Sequence, residues 1–106
     1  MKQFNVQLPR TLEEGLGGQT KIVSPMLFEF PEVKVHSMWM KGMLVPIDIV
    51  WIDKDGIIIK VYKNVPITVG PKYSSVTPAK YAIECAAGDA DKLGLLPGHE
   101  IRILRK

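Results

Sequence analysis

The chain has 106 residues, 46% of them hydrophobic and 24% charged, with a net charge of +3. These values describe one folded domain over residues 1–106 and argue against disorder. A charge this small, carried by scattered lysines, gives no ground for nucleic-acid binding; the single cysteine excludes an intramolecular disulfide and a cysteine zinc site; and no apolar run approaches the roughly 18 residues of a membrane span.

The N-terminus, Met1-Lys2-Gln3-Phe4-Asn5, lacks the apolar run of a signal peptide, so a soluble cytoplasmic protein is expected. Phe4, Val6 and Leu8 alternate with polar residues as in a half-buried strand that Pro9 ends. Thr11 is placed to cap a short helix over Leu12–Leu16, with Glu14 at the capping-box position and Gly17-Gly18 as the stop. Thr20–Phe30 is β-like, interrupted at Ser24-Pro25. Glu32–Lys41 reads as a further strand, with Val33, Val35 and Trp39 on one face and His36, Met38 and Met40 on the other. Neither face is strongly polar, so both are expected to be covered.

Gly42 breaks that strand, and Met43–Pro46 leads into Asp48–Ile52. Asp53-Lys54-Asp55-Gly56 reads as a hairpin turn, and Ile57–Tyr62 as its returning strand. Val65–Val69 is a short strand that Pro66 confines to an edge. After a loop over 70–78, Lys80–Ala86 is a strand, with Tyr81, Ile83 and Cys85 facing one way and Ala82, Glu84 and Ala86 the other. Asp89 is the expected N-cap of a single-turn helix to Leu93, and Glu100–Leu104 is the last strand. The chain ends on Arg105-Lys106. This pattern predicts a mostly β (α+β) domain: a small antiparallel barrel-like or sandwich sheet of seven to eight short strands with two short helices.

Several motifs in this order carry a resemblance. Met26-Leu27-Phe28, Trp39-Met40-Lys41, Pro46-Ile47-Asp48-Ile49, Asp53-x-Asp55-Gly56, Ile83-Glu84-Cys85-x-x-Gly88, Gly94-Leu95 and Gly98 together resemble the family called domain of unknown function 192. The resemblance covers nearly the whole chain. It implies a small, mostly β domain of bacteria and archaea, many members of which carry a signal peptide or lipid anchor, and it implies no agreed activity. The chain departs from the family pattern in three places. Gly15-Leu16-Gly17 stands for Gly-Leu-Met, Gly42-Met43 follows Lys41 where Asn-Thr is usual, and Pro25 replaces the glycine before Met26.

The stretch His36–Asp53 concentrates the chemistry. Both tryptophans and three of the five methionines lie in it. His36, Met38, Met40 and Met43 have soft-donor spacing that suits Cu(I), but methionines more often fill core gaps, so no metal or other cofactor is expected. Asp48, between Ile47 and Ile49, is either a ligand contact or general base, or a carboxylate that accepts backbone N–H groups and pins the Gly42–Pro46 connection; the second reading is favoured. Glu84 is weighed in the same way, with Lys41 or Lys80 as its partner. Trp39 and Trp51 are both read as core, with a stacking wall as the alternative. Cys85 is a buried thiol without a neighbouring histidine.

The leading expectation is a non-enzymatic ligand-binding or accessory domain with a cleft near Trp39, taking a small molecule and using Trp39, Lys41, Asp48, Glu84 and His36. The alternative is a hydrolase in which Asp48 or Glu84 works with Lys41 or His36. A weaker alternative is nucleic-acid binding through Lys34, Lys41, Lys60, Lys63 and Lys72.

Overall fold

The computed structural model describes residues 3–104; Met1, Lys2 and the terminal Arg105-Lys106 pair lie outside them. The described residues form six strands and one helix. These are β1 (Met26–Lys34), β2 (Ser37–Met38), β3 (Ile47–Ile52), β4 (Ile58–Val65), β5 (Tyr73–Ser74), β6 (Ala79–Ala86) and α1 (Asp89–Lys92). The main sheet is antiparallel with order β1-β6-β3-β4, and β2 pairs with β5 in a separate ribbon. The sheet is open, with β1 and β4 as its edges, and not closed into the expected barrel.

β3 and β6 are central, and all of Ile47–Ile52 is buried. Side chains alternate across a strand. Ile47, Ile49 and Trp51 therefore join Met26, Phe28 and Ala82 on one face, capped by Leu16, Met40 and Met43. Val50, Ile52, Ile83 and Cys85 form the other core with Ala90 and Leu95 from α1 and its exit. A continuous apolar run buried on both faces is the usual reading of a covered central strand.

Five predicted elements came out differently. Phe4–Leu8 makes a single parallel bridge, Gln7 to Met26. Gln7 donates to the Pro25 carbonyl at 2.8 Å and accepts from Leu27 N–H at 3.0 Å. The next rungs on either side would need N–H groups from Pro9 and Pro25, which have none. The Leu12–Leu16 helix is a set of turns instead. Thr11 Oγ1 does take the Glu14 N–H at 3.0 Å, but Gly15 turns left-handed at φ 51 and ends the turn before a helix forms.

Glu32–Lys41 is divided between β1 and β2. The last register pair of β1 is Lys34 with Ala79, beyond a bulge. Past it, His36 N–H bonds Ser75 Oγ and Ser75 N–H bonds the His36 carbonyl, which turns the chain into the ribbon. No element among the described residues covers the outer face there, so Val33, Val35 and Trp39 are exposed, against the expectation of two covered faces. Val65–Val69 is not a strand: Val65 closes β4 opposite Ile47, and Ile67 and Val69 are exposed. The final segment makes one bridge, Glu100 to Ile57.

The hairpin at Asp53–Gly56 is as expected. Asp53 Oδ1 accepts the N–H groups of Asp55 and Ile57, each at 2.9 Å. Gly56 has φ 84, and a Cβ there would meet the Ile101 carbonyl at 2.5 Å.

Candidate functional site

Asp48 and Glu84 are the two buried carboxylates among the described residues, at 1% and 5% exposure. In register, Asp48 faces Cys85 while Glu84 faces Ile49. Neighbouring strand positions point to opposite sides, so the two carboxylates lie on opposite faces of the sheet and share no concavity.

Asp48 is fully engaged. Its Oδ1 accepts Asn64 N–H at 2.8 Å, and its Oδ2 accepts Gly88 and Ala90 N–H, both at 3.0 Å. Asn64 sits in the β4 bulge between the Ile47–Val65 and Ile49–Tyr62 pairs, at φ 50, with its N–H off the ladder. Gly88 is the N-cap of α1 and has no side chain to cap with. Asp48 supplies that cap from across the fold. The structural reading of Asp48 is thus correct in kind and wrong in place. It pins the β4 bulge and the start of α1, not Gly42–Pro46, and Asp89 is not the N-cap.

Glu84 is the opposite case. The Leu16 N–H donates to its carboxylate, yet burial pushes its pKa from 4.5 up to about 7. Its Oε1 has no partner among the described residues. Neither expected lysine reaches it. Lys80 Nζ donates to the Phe30 carbonyl at 2.6 Å, and Lys41 Nζ stands 5.4 Å above the Trp39 ring. A Cβ on Gly15 would lie 3.1 Å from Glu84 Oε1 and 3.0 Å from Phe28, so only a glycine lets this turn close over the carboxylate. Gly15 and Leu16 were not among the sequence candidates; the closest signal was the Gly-Leu pair of the family pattern.

The tryptophans divide. Trp51 is core, with no exposure, beneath Phe30 and His36. Trp39, expected in the core, is 49% exposed. It lines a shallow cleft of about 240 Å³ with Ser37, Met38 and Lys72. His36 stacks on Phe30 at 4.2 Å between ring centroids, and its Nε2 is 2.8 Å from the Glu32 carbonyl. Met40 and Met43 are buried in the Leu16–Trp51 core. No group of three or more histidine, cysteine or acidic side chains that could hold a metal ion gathers among the described residues. Cys85 is buried, and burial first, then Asp48, Asp89 and Glu84, push its thiol up to about 12.

Residues 3–103 match the model of the family domain of unknown function 192, described as an uncharacterised ACR. A crystal structure from Sinorhizobium meliloti, described as a candidate transcription regulator, is 34% identical with a TM-score of 0.81, over 90% of this chain and 78% of that one. A protein of unknown function from Novosphingobium aromaticivorans shares the fold at a TM-score of 0.86 and 23% identity, over 94% of this chain and 75% of that one. No curated protein matches the chain. No helix among the described residues is long and apolar enough to cross a membrane.

Proposed function

We propose that this chain, which belongs to the family domain of unknown function 192, is a non-enzymatic ligand-binding or accessory domain whose cleft lies beside Trp39. The observation that carries this reading is the half-exposed indole with Met38 beside it, Lys41 over its ring and Lys72 at the cleft wall. A flat apolar body stacks on such a ring, and a negative charge on that body suits the two ammonium groups. The ligand class is a small aromatic or planar anion. The hydrolase reading draws no comparable support. Asp48 has its oxygens occupied, Glu84 is on the other sheet face, and His36 Nε2 is turned to a backbone carbonyl.

Benzoate followed by the two indole N–H signals in NMR tests this. The Trp39 signal is expected to move saturably while that of buried Trp51 stays still. Lys41→Ala and Lys72→Ala are each expected to weaken binding about two- to fivefold, the scale of an exposed charge pair. A Trp39 signal that does not move sinks the reading.

A second reading, weak nucleic-acid binding, is favoured by the description of the Sinorhizobium relative as a candidate transcription regulator. Of the lysines first considered, Lys34 and Lys63 are ion-paired to Glu32 and Asp91, and Lys60 lies over Tyr62. Lys41 and Lys72 remain, beside a ring on which a base could stack. Filter binding of single-stranded DNA at low and moderate salt separates the readings: affinity that falls steeply with salt supports this one, and no affinity at low salt removes it.

A further inference from the structure

A second concavity, of about 430 Å³, opens over residues 15–18 and is lined by Gln7, Arg10, Glu14, Gly15, Gln19 and Met26. Its size suits a small molecule. Gly15 and Met26 are also the residues set against Glu84. Met26 is its register partner on β1, and the Cβ position of Gly15 is 3.1 Å from Oε1. The floor of the concavity therefore has a buried carboxylate directly behind it, with one oxygen that nothing among the described residues satisfies. Gly15 puts no side chain between the two. Exposed Arg10 and Glu14 bring both signs of charge to the walls, and neither is ion-paired among the described residues.

From this arrangement we infer that the concavity over the Gly15–Gly18 turn is a binding site for a small zwitterion, a molecule with an ammonium and a carboxylate on one short skeleton. Glu14 holds the ammonium end, Arg10 takes the carboxylate through its planar pair of N–H donors, and the charge of Glu84 behind the floor adds to the pull on the ammonium. A charge behind a thin, poorly solvated wall acts through a low dielectric, so it attracts a cation in the concavity without touching it. The groups facing Glu84 from the other elements are Met26 and Phe28 on β1 and Ile49 on β3, all apolar. Ionisation of Glu84, which burial delays to about pH 7, therefore strengthens the site as pH rises from 6 to 8.

The test is an NMR titration of the whole chain with glycine, watching the Glu84 side-chain carboxyl carbon and the Gly15–Gly18 amides at pH 6 and 8. Glycine is expected to shift these signals saturably, more tightly at pH 8. Ethylamine and acetate, each with one of the two charges, are expected to bind about tenfold or more weakly, the scale of one lost charged hydrogen bond. Arg10→Ala, at an exposed position, is expected to show a similar loss in the amide signals, and Glu84→Gln, nearly isosteric and neutral, a smaller one together with loss of the difference between pH 6 and 8, both variants unfolding cooperatively. The inference is overturned if glycine gives no saturable shift, if ethylamine or acetate alone binds as well as glycine, or if Arg10→Ala binds glycine like the parent.

Discussion

Two carboxylates one strand apart are buried to nearly the same depth and have opposite environments. Asp48 has three backbone N–H donors gathered from the β4 bulge and the start of α1. Glu84 has one, from Leu16, and an oxygen left without a partner. Depth alone therefore does not decide what a buried acid does; the donors around it decide. Asp48 is spent on architecture, because it ties together two segments that sequence separation keeps apart. Glu84 is held against its own hydration by a glycine turn and an apolar sheet face, which leaves its charge available for other work.

The largest effect should come from removing the engaged acid. Asp48→Ala strands three buried or half-buried donors, and a loss of about 3 kcal/mol or more is expected in chemical denaturation, since each bond to a charged acceptor contributes roughly 1.5–3 kcal/mol. Asp48→Asn should lose less, because its one oxygen still serves some of these donors. Parental stability in both variants would dissolve the contrast between the two acids.

The second effect is a pH dependence. Folded, Glu84 keeps its proton to about pH 7, whereas an ordinary glutamate releases it near 4.5. Between those values the folded state binds more protons than the unfolded one, so this group makes stability fall as pH rises from about 4.5 to 7 and leaves it flat outside that window. The shift corresponds to roughly 3 kcal/mol at most. Denaturation midpoints across this range should decline in the parent, and Glu84→Gln should remove that part of the slope and be the more stable protein above pH 7. An unchanged slope in Glu84→Gln would show that Glu84 is solvated like a surface acid.

The smallest effect sharpens the account of the turn. Gly15→Ala forces a side chain into a left-handed position and to about 3 Å from Phe28 and Glu84 Oε1. A loss of roughly 1–2 kcal/mol is expected in thermal unfolding, with the Glu84 midpoint displaced because its wall has moved. A Gly15→Ala protein with parental stability and an unmoved midpoint would separate the turn from the carboxylate.

Much of this molecule is local and was legible in its residues. The two-sided apolar run Ile47–Ile52, the Asp53–Gly56 hairpin and the β6 alternation depend on side-chain period and turn chemistry, which act over a few positions. Mostly β architecture and family followed from these and from the order of the motifs. What only the tertiary structure decided is non-local. Trp39 and Trp51 are equally apolar, yet one is half-exposed and one is core, because β1 ends at Lys34 and no element among the described residues covers the outer face beyond it. The Phe4–Leu8 strand reduces to one bridge because its partner strand brings Pro25, as well as its own Pro9, to the adjoining rungs. Asp48 and Glu84 had the same sequence signature, an acid among small or apolar neighbours. Their difference lies in which backbone amides, 16 and 42 residues away in the case of Asp48, the fold brings to each, and no local pattern encodes a donor that arrives from across the chain.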